Sequence, residues 1–262
     1  MQDCVSGVRR FIVCLFAGAM VLMFAVAPAE AQARQMTWSP VPDGYPRTAA
    51  EQNDFSRHTR HLEMWDYMRS LRAVAPNMRL GNYGETRQGR KLAYAVFSNP
   101  LVTESWEARS LGRPVVVLAA NVHGGERTFR EGLLVLMRDF ATPGTDAYEL
   151  LNHVTVVVAP QINPDGFEAT ERGQRGNSWG IDMNRDYVKL EQPSIVNYVT
   201  NIIREWRPQI YVDGHNGGSR PYNLNYQCPS HVDPDPEISL LCDQEIFPAI
   251  DARLATEDLK SW

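Results

Sequence analysis

What the sequence has little of sets its limits first. It carries 4 cysteines in 262 residues, two of them before residue 31, and no Cys-x-x-Cys pair, which argues against a thiolate zinc knuckle. It has no excess of positive charge: 26 Lys and Arg against 31 Asp and Glu leave −5, withholding the basic face that nucleic-acid binding requires. The helical H-E-x-x-H pattern is missing, so a metal held by two histidines of one helix face is excluded. There is no internal repeat and no low-complexity tract.

What is there begins with an export signal. Arg9-Arg10 precede an apolar run over residues 11–27, and Ala-Pro-Ala-Glu-Ala supplies the small residues of an A-x-A site, so residues 1–31 read as a signal peptide cleaved after Ala31 or Ala33. An uncleaved anchor is the alternative, but the run falls short of the roughly 20 residues needed to span a bilayer. Cleavage places the protein in the periplasm or outside the cell, free of membrane. It removes two arginines, Asp3 and Glu30 and so leaves the net charge at −5. Cys228 and Cys242 remain; in an oxidising compartment they form a disulfide or stay as two free thiols.

The rest, 44% hydrophobic overall, suffices for one α/β core. Residues 32–50 read as an extended leader and residues 51–262 as the domain. Apolar residues recur at helical spacing from Glu51 to Val74, and Pro76 ends the pattern. A glycine-punctuated hairpin leads to an apolar run at 92–97. "PVVVLAANV" and "HVTVVVAPQI" are near-continuous β-branched runs, each followed by a polar turn and a helical pattern, and "PQIYVDGH" is a third strand. This predicts an α/β fold: one mixed, mostly parallel twisted sheet with helices on both faces.

Reactive residues in such sheets gather at the carboxyl ends of strands. His123 and Glu126, in "HGGE", follow the first buried strand, and the two glycines let the backbone turn until both side chains face one point. His215, in "DGH", ends the third strand and would complete a two-histidine, one-glutamate zinc set with an open position. A polar stretch, residues 163–187, gathers Arg172, Arg175, Asn177, Asp182, Asn184 and Arg185; loops of this length inside a compact domain are usually functional. Asp213 is a further contact to the site or merely a loop acid. His58 and His61 form an H-x-x-H whose polar neighbours place it on an exposed helix face.

The order HGGE, NPDG, R-x-N, G-x-D-x-N-R-D and D-x-H resembles the zinc carboxypeptidase family of carboxypeptidases A and B and their bacterial relatives, from about residue 55 to about residue 230. "YGETRQGRKLAYAVFS" is similar to the family's early arm, with Thr86 at the usual serine. The resemblance implies a hydrolase that holds one zinc ion through His123, Glu126 and His215 and acts, as a monomer, on peptides with a free C-terminal carboxylate, peptidoglycan-derived ones included. It implies that Asp182 orients the first histidine, that Asn184 and Arg185 grip the terminal carboxylate, and that Arg175 polarises the scissile carbonyl. Guanidinium suits both tasks, because its planar fork binds a carboxylate in two places.

The family's general-base glutamate, on a strand well beyond the third ligand, has no counterpart: Glu237, Glu245 and Glu257 fall in a Pro-rich loop or a predicted helix. The sequence therefore reads either as incomplete at its C-terminus or as a short form that has lost its base. Two other readings stay open: a zinc deacylase of N-acyl amino acids, and a zinc-holding binding module without turnover.

Overall fold

The computed structural model describes residues 40–217, 221–229 and 232–261. The expected signal peptide and the leader as far as residue 39 lie outside them. The described elements run α1 (His61–Val74), β1 (Met78–Glu85), β2 (Lys91–Phe97), α2 (Ser105–Ser110), β3 (Val115–Ala120), α3 (Thr128–Ala141), α4 (Asp146–Leu150), β4 (Thr155–Ala159), α5 (Pro164–Glu168), α6 (Pro193–Tyr198), β5 (Ile210–Gly214), α7 (Pro236–Leu241) and α8 (Phe247–Thr256). α6 continues as a π-helical stretch, Val199–Arg204, and another, Cys242–Ile246, joins α7 to α8.

Five strands form one sheet in the order β1-β2-β4-β3-β5. The β1–β2 and β2–β4 pairs are antiparallel, while β4–β3 and β3–β5 are parallel, so only β2 runs against the others. The sheet is mixed, with four of its strands pointing one way, as the alternation of strands and helices predicts.

Side chains that alternate along β4 build two cores. Val156 and Val158 face Met64, Met68, Leu71, Leu133, Leu134, Met137 and Phe140 from α1 and α3. Val157 and Ala159 face the opposite way, toward Ala108 of α2 and Ile195, Tyr198, Ile202 and Trp206. Burial on both faces is what the unbroken β-branched runs of β3 and β4 require. Among the described strands β5 is one edge of this sheet, β1 the other, and it leaves Ile210, Tyr211 and Val212 exposed.

Three local expectations are corrected. The helix expected over 51–74 is a single 3₁₀ turn, Glu51–Asn53, followed by a break and then α1. Asp54 and Phe55 both have positive φ, 49° and 56°, which no helix accommodates. His61 is not on an exposed face: it is 4% exposed, its backbone N–H donates to Glu168 Oε1 at 2.8 Å, and its Nδ1 lies 2.7 Å from Gln161 Oε1. Only His58 of that pair is solvent-facing. Burial lowers the His61 pKa, and the Gln161 carbonyl oxygen facing Nδ1 calls for the ring's proton on that nitrogen. Third, Glu237 lies in the first turn of α7, not in a loop.

The leader from Tyr45 onward packs on α3. Thr48 and Ala50 are buried, and the Tyr45 hydroxyl donates to Ala141 O at 3.0 Å. Just beyond, buried Glu51 pairs twice with the buried Arg138 guanidinium, at 2.8 and 2.6 Å. Cys228 and Cys242 are joined as a disulfide that ties loop 221–229 to the α7–α8 segment. Among the described residues no helix is long and apolar enough to cross a membrane.

Candidate metal centre

The parallel register of β3 and β5 sets Ala120 opposite Gly214, so the chain leaves both strands at the same level. His123 departs from one and His215 from the other. Gly214 leaves room for the Phe129 ring, which α3 lays against it: a Cβ there would sit 1.7 Å from that ring and push it aside. Asn216 then anchors the exit. Its side chain accepts from Thr128 N–H and donates to Thr128 Oγ1, at 3.2 and 2.8 Å, and its own N–H donates to Glu126 Oε2 at 3.1 Å.

The first glycine of HGGE serves a different purpose from the one expected. Neither glycine has positive φ; that conformation belongs to Asn121, φ 60°. Gly124 is required by close approach instead, since a Cβ would lie 2.2 Å from the Gly166 carbonyl carbon of α5. The turn closes with Glu126 N–H donating to His123 O at 3.0 Å.

The three side chains converge. Glu126 points one oxygen at each imidazole: Oε1 is 2.8 Å from His123 Nδ1 and Oε2 is 2.8 Å from His215 Nδ1. The rings lie 4.9 Å apart, and one ligand atom from each residue falls within 4.8 Å of the others. Each outer nitrogen meets a carboxylate, His123 Nε2 on Asp182 and His215 Nε2 on Asp213, both at 3.1 Å. A proton on each Nε2 leaves both Nδ1 lone pairs aimed inward, the tautomer a metal ligand needs. Tetrahedral zinc with bonds of about 2.0–2.1 Å keeps its ligand atoms roughly 3.3 Å apart, so the 2.8 Å spacings need open by only a few tenths. The donor set fits one zinc ion.

The electrostatics agree. Without an ion, the Asp213 hydrogen bond and the nearby Glu126 raise the His215 pKa to about 9, against a smaller opposing effect of burial. Burial alone would raise Asp182, but the Arg175 guanidinium, the Asn184 N–H and His123 hold its carboxyl below the ordinary value.

Arg175 donates through Nε to Asp182 Oδ2 at 3.0 Å and approaches Glu126 Oε1 at 3.8 Å. Its side chain is 56% exposed, so the guanidinium borders the site and still meets solvent. Asn184 and Arg185 form a 3₁₀ turn, Met183–Arg185, started by Asp182, whose Oδ1 accepts the Asn184 N–H. Arg185 is exposed and donates to Asn184 O.

Sequence reasoning assigned no role to several residues that shape this loop. Asn163 starts α5 and reaches Val122 O and Gly176 O. Asp165 accepts from Thr86 Oγ1, Gln88 N–H and Arg90, pinning the β1–β2 hairpin to the site loop. Asn177 accepts from the Trp179 and Ile181 N–H groups and donates to Gln192. The signal for Asn163 and Asp165 was visible as NPDG; their partners, distant in sequence, were not. Glu237, Glu245 and Glu257 are exposed and lie on α7, on the π-helical stretch and just after α8.

A family model described as zinc carboxypeptidase matches residues 64–244. The chain is similar to Carboxypeptidase 2 of Trichophyton rubrum, 30% identical over 158 residues that cover 60% of this chain and 28% of that protein. It is also similar to Carboxypeptidase D of Homo sapiens, 32% identical over 133 residues, 41% of this chain and 10% of the other. The chain thus spans less than a third of these curated relatives. Among solved structures, carboxypeptidase A from Helicoverpa armigera matches with TM-score 0.59 and 21% identity over 74% of this chain and 54% of that one. Thrombin activatable fibrinolysis inhibitor matches with TM-score 0.64 and 14% identity over 82% and 60%. At such identities these two likenesses concern the fold. The family match is broader in meaning, because it runs through most of the chain and takes in the turn after β3, the site loop and the end of β5: the chain belongs to the zinc carboxypeptidase family.

Proposed function

We propose that this chain is an exported zinc metallocarboxypeptidase that releases C-terminal residues from peptides, including peptides derived from peptidoglycan. The convergence of His123, Glu126 and His215 on one point, with a carboxylate behind each histidine, carries the reading. A zinc ion held by these three residues would supply Lewis acidity and would lower the pKa of a water molecule to about 7.

The chain's own residues do the rest. Asp182 and Asp213 fix the two imidazoles by accepting from each Nε2–H, which turns both inner nitrogens toward the metal. Arg175, steadied through Nε by Asp182, retains its terminal N–H groups for the scissile carbonyl oxygen, where negative charge develops. Asn184 and Arg185 bind the substrate's terminal carboxylate, Arg185 by the paired N–H groups of its guanidinium. No carboxylate is assigned as general base.

Two peptides identical but for a free or an amidated C-terminus test the reading. Zinc-dependent release of the last residue from the free acid, reduced at least tenfold for the amide, is expected. Equal handling of both, or a preference for N-acyl amino acids, would overturn it.

A further inference from the structure

Asn121 follows the last residue of β3, is fully buried and holds a left-handed backbone. Such a conformation at a non-glycine residue persists where surrounding contacts over-determine it. The contacts here are specific. Asn121 Nδ2 lies 2.9 Å from His123 O, 2.8 Å from Glu126 O and 3.3 Å from Gly124 O. One amide group therefore gathers the carbonyls of both HGGE metal-site residues.

The far side of that amide is bonded as well. Asn121 Oδ1 accepts from Gln161 Nε2 at 3.2 Å, and Gln161 Oε1 accepts from His61 Nδ1 at 2.7 Å. All three residues are at least 95% buried. Three backbone carbonyls require N–H groups from Asn121, whose Oδ1 then takes the Gln161 N–H, and the Gln161 oxygen left over takes the proton of His61 Nδ1, so the contacts agree from end to end. Reversing either amide would bring oxygen against oxygen.

We propose that Asn121 is a positioning residue for the metal centre: its buried amide, backed by Gln161 and His61, fixes the turn from which His123 and Glu126 project. The proposal rests on the reading of those residues, with His215, as zinc ligands. It separates fold from site, because the amide holds the segment that carries two ligands and touches no ligand atom.

The test is zinc affinity, by chelator competition on the whole chain, with the visible spectrum of the cobalt(II) form as a second readout. Asn121→Gly keeps a residue at ease with positive φ and deletes the amide. Asn121→Asp keeps the shape and turns an oxygen on the carbonyls. Both are expected to weaken zinc binding about 10- to 100-fold and to alter the cobalt spectrum while the proteins remain folded by circular dichroism. Gln161→Met, one step removed, is expected to weaken zinc several-fold, and it decides the matter should neither Asn121 variant fold. Wild-type affinity and spectrum in Asn121→Gly, or in Gln161→Met if only that variant folds, would overturn the positioning role. A wild-type chain that binds no zinc would instead sink the ligand assignment beneath it.

Discussion

Glu126 is the residue on which the site turns, because its two oxygens address both histidines while the histidines are themselves braced from behind. Removing one strong donor from a three-residue set leaves too few ligands for tight binding, so His123→Ala is expected to abolish stoichiometric zinc, measured by elemental analysis of the purified protein. Arg185→Ala should leave zinc content unchanged and raise KM about tenfold or more for free-carboxylate peptides, with little change for amidated ones; loss of metal in that variant would speak against its assigned task. The three proposed ligands were legible in the sequence because each ends or follows a strand at a distinctive spacing. Asn121 was not, since a single polar residue after a strand has no pattern of its own and its meaning depends on Gln161 and His61, brought close only by folding.

Among the elements, close approach of α5 to the turn after β3 decides where the site loop sits. Gly124→Ala would press a methyl group into the backbone of Gly166, and a backbone cannot rotate away as a side chain can. A cost of about 1–3 kcal/mol is expected, read as a lowered midpoint in denaturant; an unchanged midpoint would show that α5 can shift freely. The strands were readable from composition because β4 is buried on both faces, β3 is buried on one and half-buried at Val116 and Leu118 on the other, and both carry almost uninterrupted Val and Ala. The start of α1 was not readable. The apolar spacing runs unbroken through Phe55, but spacing does not report φ, and the chain breaks at Asp54 and Phe55. His61 misled for a related reason: the residues just before it, Thr59 and Arg60, are polar, while it packs against Gln161 and Glu168, about a hundred positions away.

At the scale of the whole molecule, the segment before α1 is clasped to α3 by Glu51 and Arg138. Burial alone would raise the Glu51 pKa, but Arg138 and Thr48 outweigh it and hold the carboxyl below its ordinary value of 4.5. A depressed folded-state value means the clasp stabilises the protein fully above the unfolded value and loses effect as pH falls through the folded one. Thermal stability should therefore decline below about pH 4.5, and Glu51→Gln should start lower yet lose less on acidification; parallel acid slopes for the two proteins would refute the assignment. The sheet's overall plan was foreseeable from alternating strands and helices, whereas this clasp joins residues 87 apart through a charge pair that no local pattern announces.

The shared level of β3 and β5 reaches further than the placing of two imidazoles. Glu126 and His215 stand 89 positions apart, and the ladder between those strands, helped by the bonds of Asn216 to Thr128 and Glu126, keeps them in step. A slip of one residue in β5 would carry His215 about 3.3 Å along the sheet, further than a coordination bond tolerates. Ion capture would then act as a vernier on assembly, rewarding the single alignment in which β5 has docked true.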